Sequence, residues 1–225
     1  MPLVSRKNII GLAAIGIAAT AFASIDARAV HQPSSSVAVQ HQQQWATQVD
    51  KHFNLYRMTP GLYRSALPDR SDVATLQAAR IGTVVSFIKD DDKQWLGDAP
   101  MRTVNIALHA DRVTDADVIR VLHVLEQAQT DGAVLMHCKH GRDRTGLMAA
   151  MYRMVIQGWS KPEALSEMRS GGYGNPQEME DALDYLEQVD LAAIRAAYRA
   201  GKCSTTLFST CYAKAWLQNV LAFNN

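Results

Sequence analysis

Cysteine is scarce in this chain: three of its 225 residues are cysteine, and none precedes Cys138. A cysteine near the N-terminus that could carry a lipid is therefore excluded. The chain also lacks a strong charge of either sign, since 23 Lys and Arg residues stand against 22 Asp and Glu residues. Such a balance gives no general attraction to nucleic acid, so any cationic site must be local.

Long apolar runs are also absent, except for one near the N-terminus. That run, NIIGLAAIGIAATAFA, follows Arg6 and Lys7. It is short for a spanning helix and no basic stop-transfer cluster follows it, so it predicts a secretory signal peptide. Small-x-small sites end at Ala23 and Ala29, and we favour cleavage after Ala29. The alternative is an uncleaved N-terminal anchor.

The predicted organisation has three parts. Residues 1–29 form the signal peptide, residues 30–44 form a polar leader rich in Ser and Gln, and residues 45–225 form one domain. Cleavage would leave 196 residues with 20 basic and 21 acidic side chains. This length suffices for one domain with a substantial core, without stable membrane insertion.

The two late cysteines, Cys203 and Cys211, lie eight residues apart. In an oxidising compartment, two cysteines at close spacing are candidates for a disulfide. Two unrelated buried thiols are the alternative, because spacing alone does not orient the side chains. Pairing would leave Cys138 as a free thiol, and chemistry is one explanation for such a thiol in an exported chain.

From Trp45 onward, strand and helix patterns alternate. Short apolar or β-branched runs predict strands over residues 61–65, 83–88, 102–108 and 133–137. Helical periodicity predicts helices over about 115–130, 145–158, 161–169, 176–199 and 205–222. The predicted fold class is α/β, with a central, mostly parallel sheet of about four to five strands flanked by helices, and a helical C-terminal half.

The sequence HCKHGRDRTG, residues 137–146, lies between the last predicted strand and a helix predicted to be buried. A loop that leads into a helix N-terminus directs backbone N–H groups and the positive end of the helix dipole at one point. Such a point binds phosphate and stabilises a thiolate, so Cys138 is the candidate nucleophile. Gly141 lets the loop backbone approach the bound anion.

Arg144 lies six residues after Cys138. Its planar guanidinium can hold two oxygens of a phosphate dianion. Thr145 can donate its hydroxyl to the sulfur. Phosphoryl transfer also needs an acid for the leaving oxygen. Asp111 is the candidate, because it follows the 102–108 strand and should reach the same sheet edge as the Cys138 loop.

The other polar residues of the motif have less specific predicted roles. His137 is a candidate for a buried hydrogen bond that supports the loop. Four further residues are candidates for contacts to the phosphate or the substrate: Lys139, His140, Arg142 and Asp143. A metal site built from His137, Cys138 and His140 is the alternative, but neighbouring side chains at a strand end alternate in direction. We expect neither a metal nor a cofactor.

His-Cys-x2-Gly-x2-Arg-Thr-Gly is the signature of the cysteine-dependent tyrosine and dual-specificity phosphatases, and the chain resembles the periplasmic members of this family. LYRSALP, TVVSFIKDDD and HADRV strengthen the resemblance, which runs from about Trp45 to Trp216. It implies a dual-specificity-phosphatase-like fold. It also implies Cys138 as nucleophile, Arg144 as phosphate clamp, and Asp111 as general acid and then general base.

The resemblance further implies a partner. The expected substrate is a phosphotyrosine protein, such as the periplasmic domain of a membrane diguanylate cyclase, with a link to biofilm formation. We expect a periplasmic monomer. Lys139 and Arg142 are similar to the loop cations of phosphoinositide phosphatases, so an inositol phosphate is the alternative substrate, although Asp143 offsets part of their charge. A non-catalytic phosphoprotein-binding module is the alternative of another class.

Overall fold

A computed structural model describes residues 44–201 of the protein. The strands within this range are β1 (Thr47–Asp50), β2 (Leu55–Thr59), β3 (Leu62–Ser65), β4 (Ile81–Ser86), β5 (Arg102–Asn105) and β6 (Ala133–His137). The α-helices are α1 (Val73–Ala78), α2 (Lys93–Leu96), α3 (Asp115–Ala128), α4 (Asp143–Val155), α5 (Lys161–Ser170), α6 (Glu180–Gln188) and α7 (Leu191–Arg199).

The six strands form one mixed sheet in the order β1-β2-β3-β6-β4-β5. The four neighbouring strands β3, β6, β4 and β5 are parallel to one another. Strand β2 pairs in antiparallel orientation with β3 on one side and with β1 on the other. The carboxyl ends of the parallel strands share one edge, where Ser65, His137, Ser86 and Asn105 lie in register. The loops that follow these strands therefore meet at that edge.

Apolar side chains cover both faces of the sheet. On one face, Val85, Val134 and Met136 share a core cluster with the buried residues of α3 to α7. On the other, Val84 and Leu135 share a smaller cluster with residues of α1 and α2. Successive strand residues alternate between these clusters, as a pleated strand with both faces buried requires. The predicted α/β class with a mostly parallel core is confirmed.

Two parts of the fold differ from the sequence prediction. Strands β1 and β2 were not predicted. Strand β1 is short and largely exposed, and in β2 the buried residues Leu55 and Tyr56 are adjacent, so neither strand gives a regular alternating pattern. The helix predicted over 176–199 is divided into a 3₁₀ turn (Pro176–Met179), α6 and α7. Asp190 ends the continuity, because its side chain accepts a hydrogen bond from the Ala193 N–H and caps α7.

Some predictions lie outside the described residues. They are the signal peptide over 1–29, almost all of the leader over 30–44, the helix over 205–222, and the Cys203–Cys211 pair. Between residues 44 and 201, no helix has both the length and the apolar composition needed to cross a membrane.

Candidate active site

The cysteine loop connects the central strand β6 to the buried helix α4. Strand β6 ends at His137 and α4 begins at Asp143, two residues earlier than predicted. Arg142 occupies the N-cap position and makes no side-chain capping hydrogen bond, so no side chain of the cap satisfies the first N–H groups of α4. Cys138 follows the strand directly and is 2% exposed. The loop thus places a buried thiol beside a helix N-terminus.

Residues outside the cysteine loop donate hydrogen bonds to its backbone carbonyl groups. Three successive carbonyls accept hydrogen bonds: Lys139 from the Leu67 N–H at 3.3 Å, His140 from the Asn54 amide at 3.3 Å, and Gly141 from the Arg64 guanidinium at 2.8 Å. In a trans peptide, the N–H points away from the carbonyl. The N–H groups of residues 140–142 are therefore turned away from these donors, toward the inside of the loop, where they can bind an anion.

Gly141 lies against the end of β3. Its φ is +70°, and a Cβ built on it would approach the backbone of Ser65 and Ala66 to 2.5 Å. A side chain at this position would combine a left-handed backbone with a clash against main-chain atoms. The predicted need for glycine here therefore has two causes: the turn of the loop and its close approach to a strand.

Arg144 is fixed by the ends of two parallel strands. Its Nη1 donates to the carbonyl of Phe87 at 3.1 Å and to that of Leu108 at 3.3 Å. These carbonyls follow β4 and β5 at the carboxyl edge of the sheet. Because Nη1 serves these two contacts, Nη2 and Nε remain to bind two oxygens of an anion held by the loop.

A cavity of about 330 Å³ opens over the loop. The residues lining it are Cys138, His140, Arg142, Asp143, Arg144 and Glu178. Burial, followed by the charges of Arg142, Lys139 and Arg144, lowers the pKa of His140, which favours the neutral imidazole. The cavity therefore combines one thiol, two arginines and a weakly basic histidine with two carboxylates.

The two carboxylates of the cavity have different partners. Asp143 accepts a hydrogen bond from the Ala182 N–H at 3.0 Å, and burial raises the pKa of this carboxyl group. Glu178 forms an ion pair with Arg142. Of the predicted substrate-contact residues, the structure thus brings His140, Arg142 and Asp143 to the cavity, whereas Lys139 is exposed and is not part of the lining.

His137 supports the loop from below. Its ring is fully buried, and Nε2 lies 3.1 Å from the Asp92 carboxylate, which is 2% exposed. The other oxygen of Asp92 accepts a hydrogen bond from the Trp95 indole at 3.0 Å. Adjacent acids such as those of KDDDK, residues 89–93, predict a solvated loop, and for Asp92 that prediction is wrong because its side chain is buried. The Nε2 atom of His137 is therefore occupied by its contact with Asp92.

Asp111 and Thr145 do not make the contacts that their predicted roles require. Asp111 belongs to a 3₁₀ turn, is 62% exposed, and pairs with Arg112 at 3.4 Å. It does not line the cavity, and its role as general acid stays a prediction. The buried Thr145 hydroxyl has no hydrogen-bond partner within residues 44–201, so it does not donate to the sulfur in this state.

Sequence reasoning missed the residues that hold the loop. Arg64 lies in a strand whose four residues are all buried, and a charged residue in such a strand is itself a signal. Asn54 has a φ of +56°, which favours asparagine, but no local pattern points to the loop. Glu178 follows Asn175 and Pro176 in a pattern typical of a helix start, which gives no sign of a place in the cavity.

The fold and the site together define a cysteine-dependent phosphatase. The chain belongs to the tyrosine phosphatase family, whose pattern matches residues 51–202. The dual specificity protein phosphatase TpbA of Pseudomonas aeruginosa strain UCBPP-PA14 is 53% identical over 177 residues, which are 79% of this chain and 81% of TpbA. The predicted family and the predicted enzyme class, a protein-tyrosine phosphatase, are confirmed.

Two solved structures extend the similarity to three dimensions. The crystal structure of P. aeruginosa TpbA is 54% identical, with a TM-score of 0.69 over 71% of this chain and 99% of that chain. A cysteine-to-serine variant of TpbA in complex with phosphotyrosine has the same identity of 54% and the same TM-score of 0.69. That match covers 69% of this chain and 96% of the other.

Proposed function

We propose that this phosphatase is exported and hydrolyses phosphotyrosine in proteins through a phosphocysteine formed on Cys138. One observation carries the proposal. The buried thiol lies in a loop whose carbonyl groups accept hydrogen bonds from residues outside the loop, and the guanidinium of Arg144 is fixed at the same cavity. Such a loop stabilises negative charge on the sulfur and on the phosphoryl oxygens. The complex of TpbA with phosphotyrosine supports the same substrate class for this chain.

In the first step, the Cys138 thiolate attacks the phosphorus atom. A sulfur–phosphorus bond forms while the bond from phosphorus to the phenolic oxygen breaks. Asp111 donates its proton to that oxygen, so tyrosine leaves as a neutral phenol. The loop amides and Arg144 bind the equatorial oxygens throughout.

In the second step, water attacks the phosphocysteine. The Asp111 carboxylate, now deprotonated, removes a proton from the water, and the sulfur leaves as a thiolate. Inorganic phosphate is released and Asp111 is again protonated. The Asp111 turn must approach the cavity for both steps, because its carboxylate is exposed and paired with Arg112 in this state.

The test measures turnover of a phosphotyrosine peptide. We expect Cys138→Ser to bind the peptide without turnover, and Asp111→Asn to lower kcat by about 10²- to 10⁴-fold. Turnover by Cys138→Ser at the parent rate would refute the mechanism. Full activity in Asp111→Asn would assign the acid to another carboxylate. Binding without turnover in the unaltered protein would favour the phosphoprotein-binding module instead.

Export is supported by the basic Arg6 and Lys7, the apolar run that follows them, and the small-x-small site that ends at Ala29. The periplasmic domain of a membrane diguanylate cyclase is the proposed partner, through which the enzyme would influence biofilm formation. N-terminal sequencing of periplasmic protein tests the first point, since cleavage after Ala29 predicts Val30 as the first residue. Protein that stays in the cytoplasm with residues 1–29 intact would refute export.

A further inference from the structure

The cavity carries one ion pair that the phosphoryl transfer does not use. Arg142 and Glu178 both line the cavity and pair with each other. The phosphoryl group itself is bound by loop amides and by Arg144, so this pair lies in the cavity without a role in the chemistry. The position of the pair affects which other groups of a substrate can enter the cavity together with the reacting phosphate.

Contacts outside the ion pair position the Arg142 side chain and the backbone turn that carries Glu178. Arg142 packs against Gly174, where a Cβ would overlap its side chain. Glu178 lies in the Pro176–Met179 turn, which begins with a hydrogen bond from the Gln177 N–H to the Asn175 side chain at 3.2 Å. The next residue, Met179, is fully buried and anchors the turn. The side chain of Arg142 is 25% exposed and that of Glu178 is 51% exposed.

We infer that Glu178 is a specificity-determining residue, which excludes substrates that carry a second phosphate group beside the reacting one. It pairs with Arg142 and cancels the positive charge of that residue in the cavity wall. A phosphotyrosine side chain has an uncharged ring and meets no penalty there. An inositol polyphosphate brings further phosphates, which Arg142 does not attract because Glu178 has cancelled its charge. This inference deepens the proposed function and rests on it.

The remaining charges of the cavity agree with this role. His140 favours its neutral form, because burial and the neighbouring cations lower its pKa. Asp143 accepts a hydrogen bond from the Ala182 N–H, and burial raises the pKa of its carboxyl group. Lys139 is exposed and outside the lining. Arg142 is thus the cation of the lining, besides Arg144, that a second phosphate could use, and Glu178 controls its availability.

The experiment compares two substrates in three variants. For Glu178→Gln, we expect the ratio of kcat/KM for inositol hexakisphosphate to kcat/KM for a phosphotyrosine peptide to rise about five-fold, as loss of a partly exposed charge pair allows. Glu180→Gln removes the same charge from an exposed residue outside the cavity and should leave the ratio unchanged. Adding Arg142→Gln to Glu178→Gln should cancel most of the gain.

Three outcomes would overturn the inference. They are an unchanged ratio in Glu178→Gln, an equal gain in Glu180→Gln, and loss of phosphotyrosine turnover in Glu178→Gln, which would make Glu178 a catalytic acid. Failure of the proposed function is distinguishable, because the unaltered enzyme would then not hydrolyse the peptide at all. An aryl phosphate would in that case replace the peptide in the ratio, and the same comparison of variants would decide the inference.

Discussion

The Arg64 guanidinium donates to the carbonyl of Gly141 at 2.8 Å, so a buried cation from strand β3 fixes the backbone of the cysteine loop. Arg64 is 2% exposed and lies over the Tyr173 ring, 3.7 Å from its centroid. Burial lowers the pKa of Arg64 below its usual value. A buried positive charge beneath the loop favours the negative charges that the loop must bind.

Replacement of Arg64 should therefore reduce catalysis. Arg64→Lys keeps the charge but loses the planar group that stacks on Tyr173 and reaches Gly141, and we expect kcat/KM to fall about 10- to 100-fold. Tyr173→Phe is the matched control, because it keeps the ring and loses only the hydroxyl bond to Glu167 at 3.2 Å. Full activity in a folded Arg64→Lys enzyme would contradict a positioning role.

Asn54 offers a cleaner separation of activity from stability. Its side-chain amide bridges the carbonyls of His140 at 3.3 Å and Tyr173 at 3.0 Å. Because its φ is +56°, Asn54→Gly removes the amide and keeps a favourable backbone, whereas Asn54→Ala also adds strain.

We expect both Asn54 variants to lose about ten-fold in kcat/KM, because the loop carbonyl of His140 loses its donor. The melting temperature should fall clearly only in Asn54→Ala. Steady-state kinetics and thermal unfolding measure the two effects. Parent-level kcat/KM in Asn54→Gly would show that this bridge does not position the loop.

The sequence predicted the cysteine loop well and its supports poorly, for one physical reason. Cys138, Gly141 and Arg144 lie within seven residues, so the turn from a strand into a helix brings them together locally. The supports come from distant segments: Arg64 is 77 residues from Gly141, and Asn54 is 86 residues from His140. Such contacts depend on the strand order of the sheet, and periodicity does not reveal that order.

The burial of Asp92 is a second feature that the sequence alone does not predict. Asp92 stands third in a run of acids that looks fully solvated, and Asp90 and Asp91 are exposed. The chain turns so that Asp92 faces the buried His137, 45 residues away in sequence. Whether one acid of such a run is buried depends on the neighbouring strand, because the run itself has no distinguishing pattern.

A comparison of two glycines tests why residue 141 must be glycine. Gly141 and Gly158 both have a left-handed backbone, with φ of +70° and +77°. A Cβ on Gly158 would meet nothing within 4 Å, whereas one on Gly141 would clash with Ser65 and Ala66.

Gly158→Ala should cost about 1 kcal/mol of unfolding free energy, from backbone strain alone, and retain full activity. Gly141→Ala should lose more stability and at least about 100-fold in kcat/KM, because the loop must move away from β3. Urea unfolding and steady-state kinetics measure both. Equal losses in the two variants would mean that strain, rather than contact with β3, explains Gly141.

His52 gives the fold a pH dependence that is separate from catalysis. Its Nδ1 lies 2.9 Å from the buried carboxylate of Asp72. The hydrogen bond to Asp72, and then the charge of Asp72, raise the pKa of His52 above 6.5 in the folded protein. Folding therefore favours the protonated ring. The stability that this pair contributes is present below pH 6.5 and is lost as the pH rises through the folded-state pKa of His52.

His52→Gln keeps a neutral donor and removes the titration. We expect the melting temperature of the unaltered protein to exceed that of His52→Gln at about pH 6, and the difference to shrink toward zero at about pH 9. The comparison of two proteins at each pH isolates His52 from the other histidines. A difference that stays constant, or grows with rising pH, would show that the ion pair with Asp72 does not stabilise the folded state. Activity at either pH should be the same in both proteins, because the pair does not line the cavity.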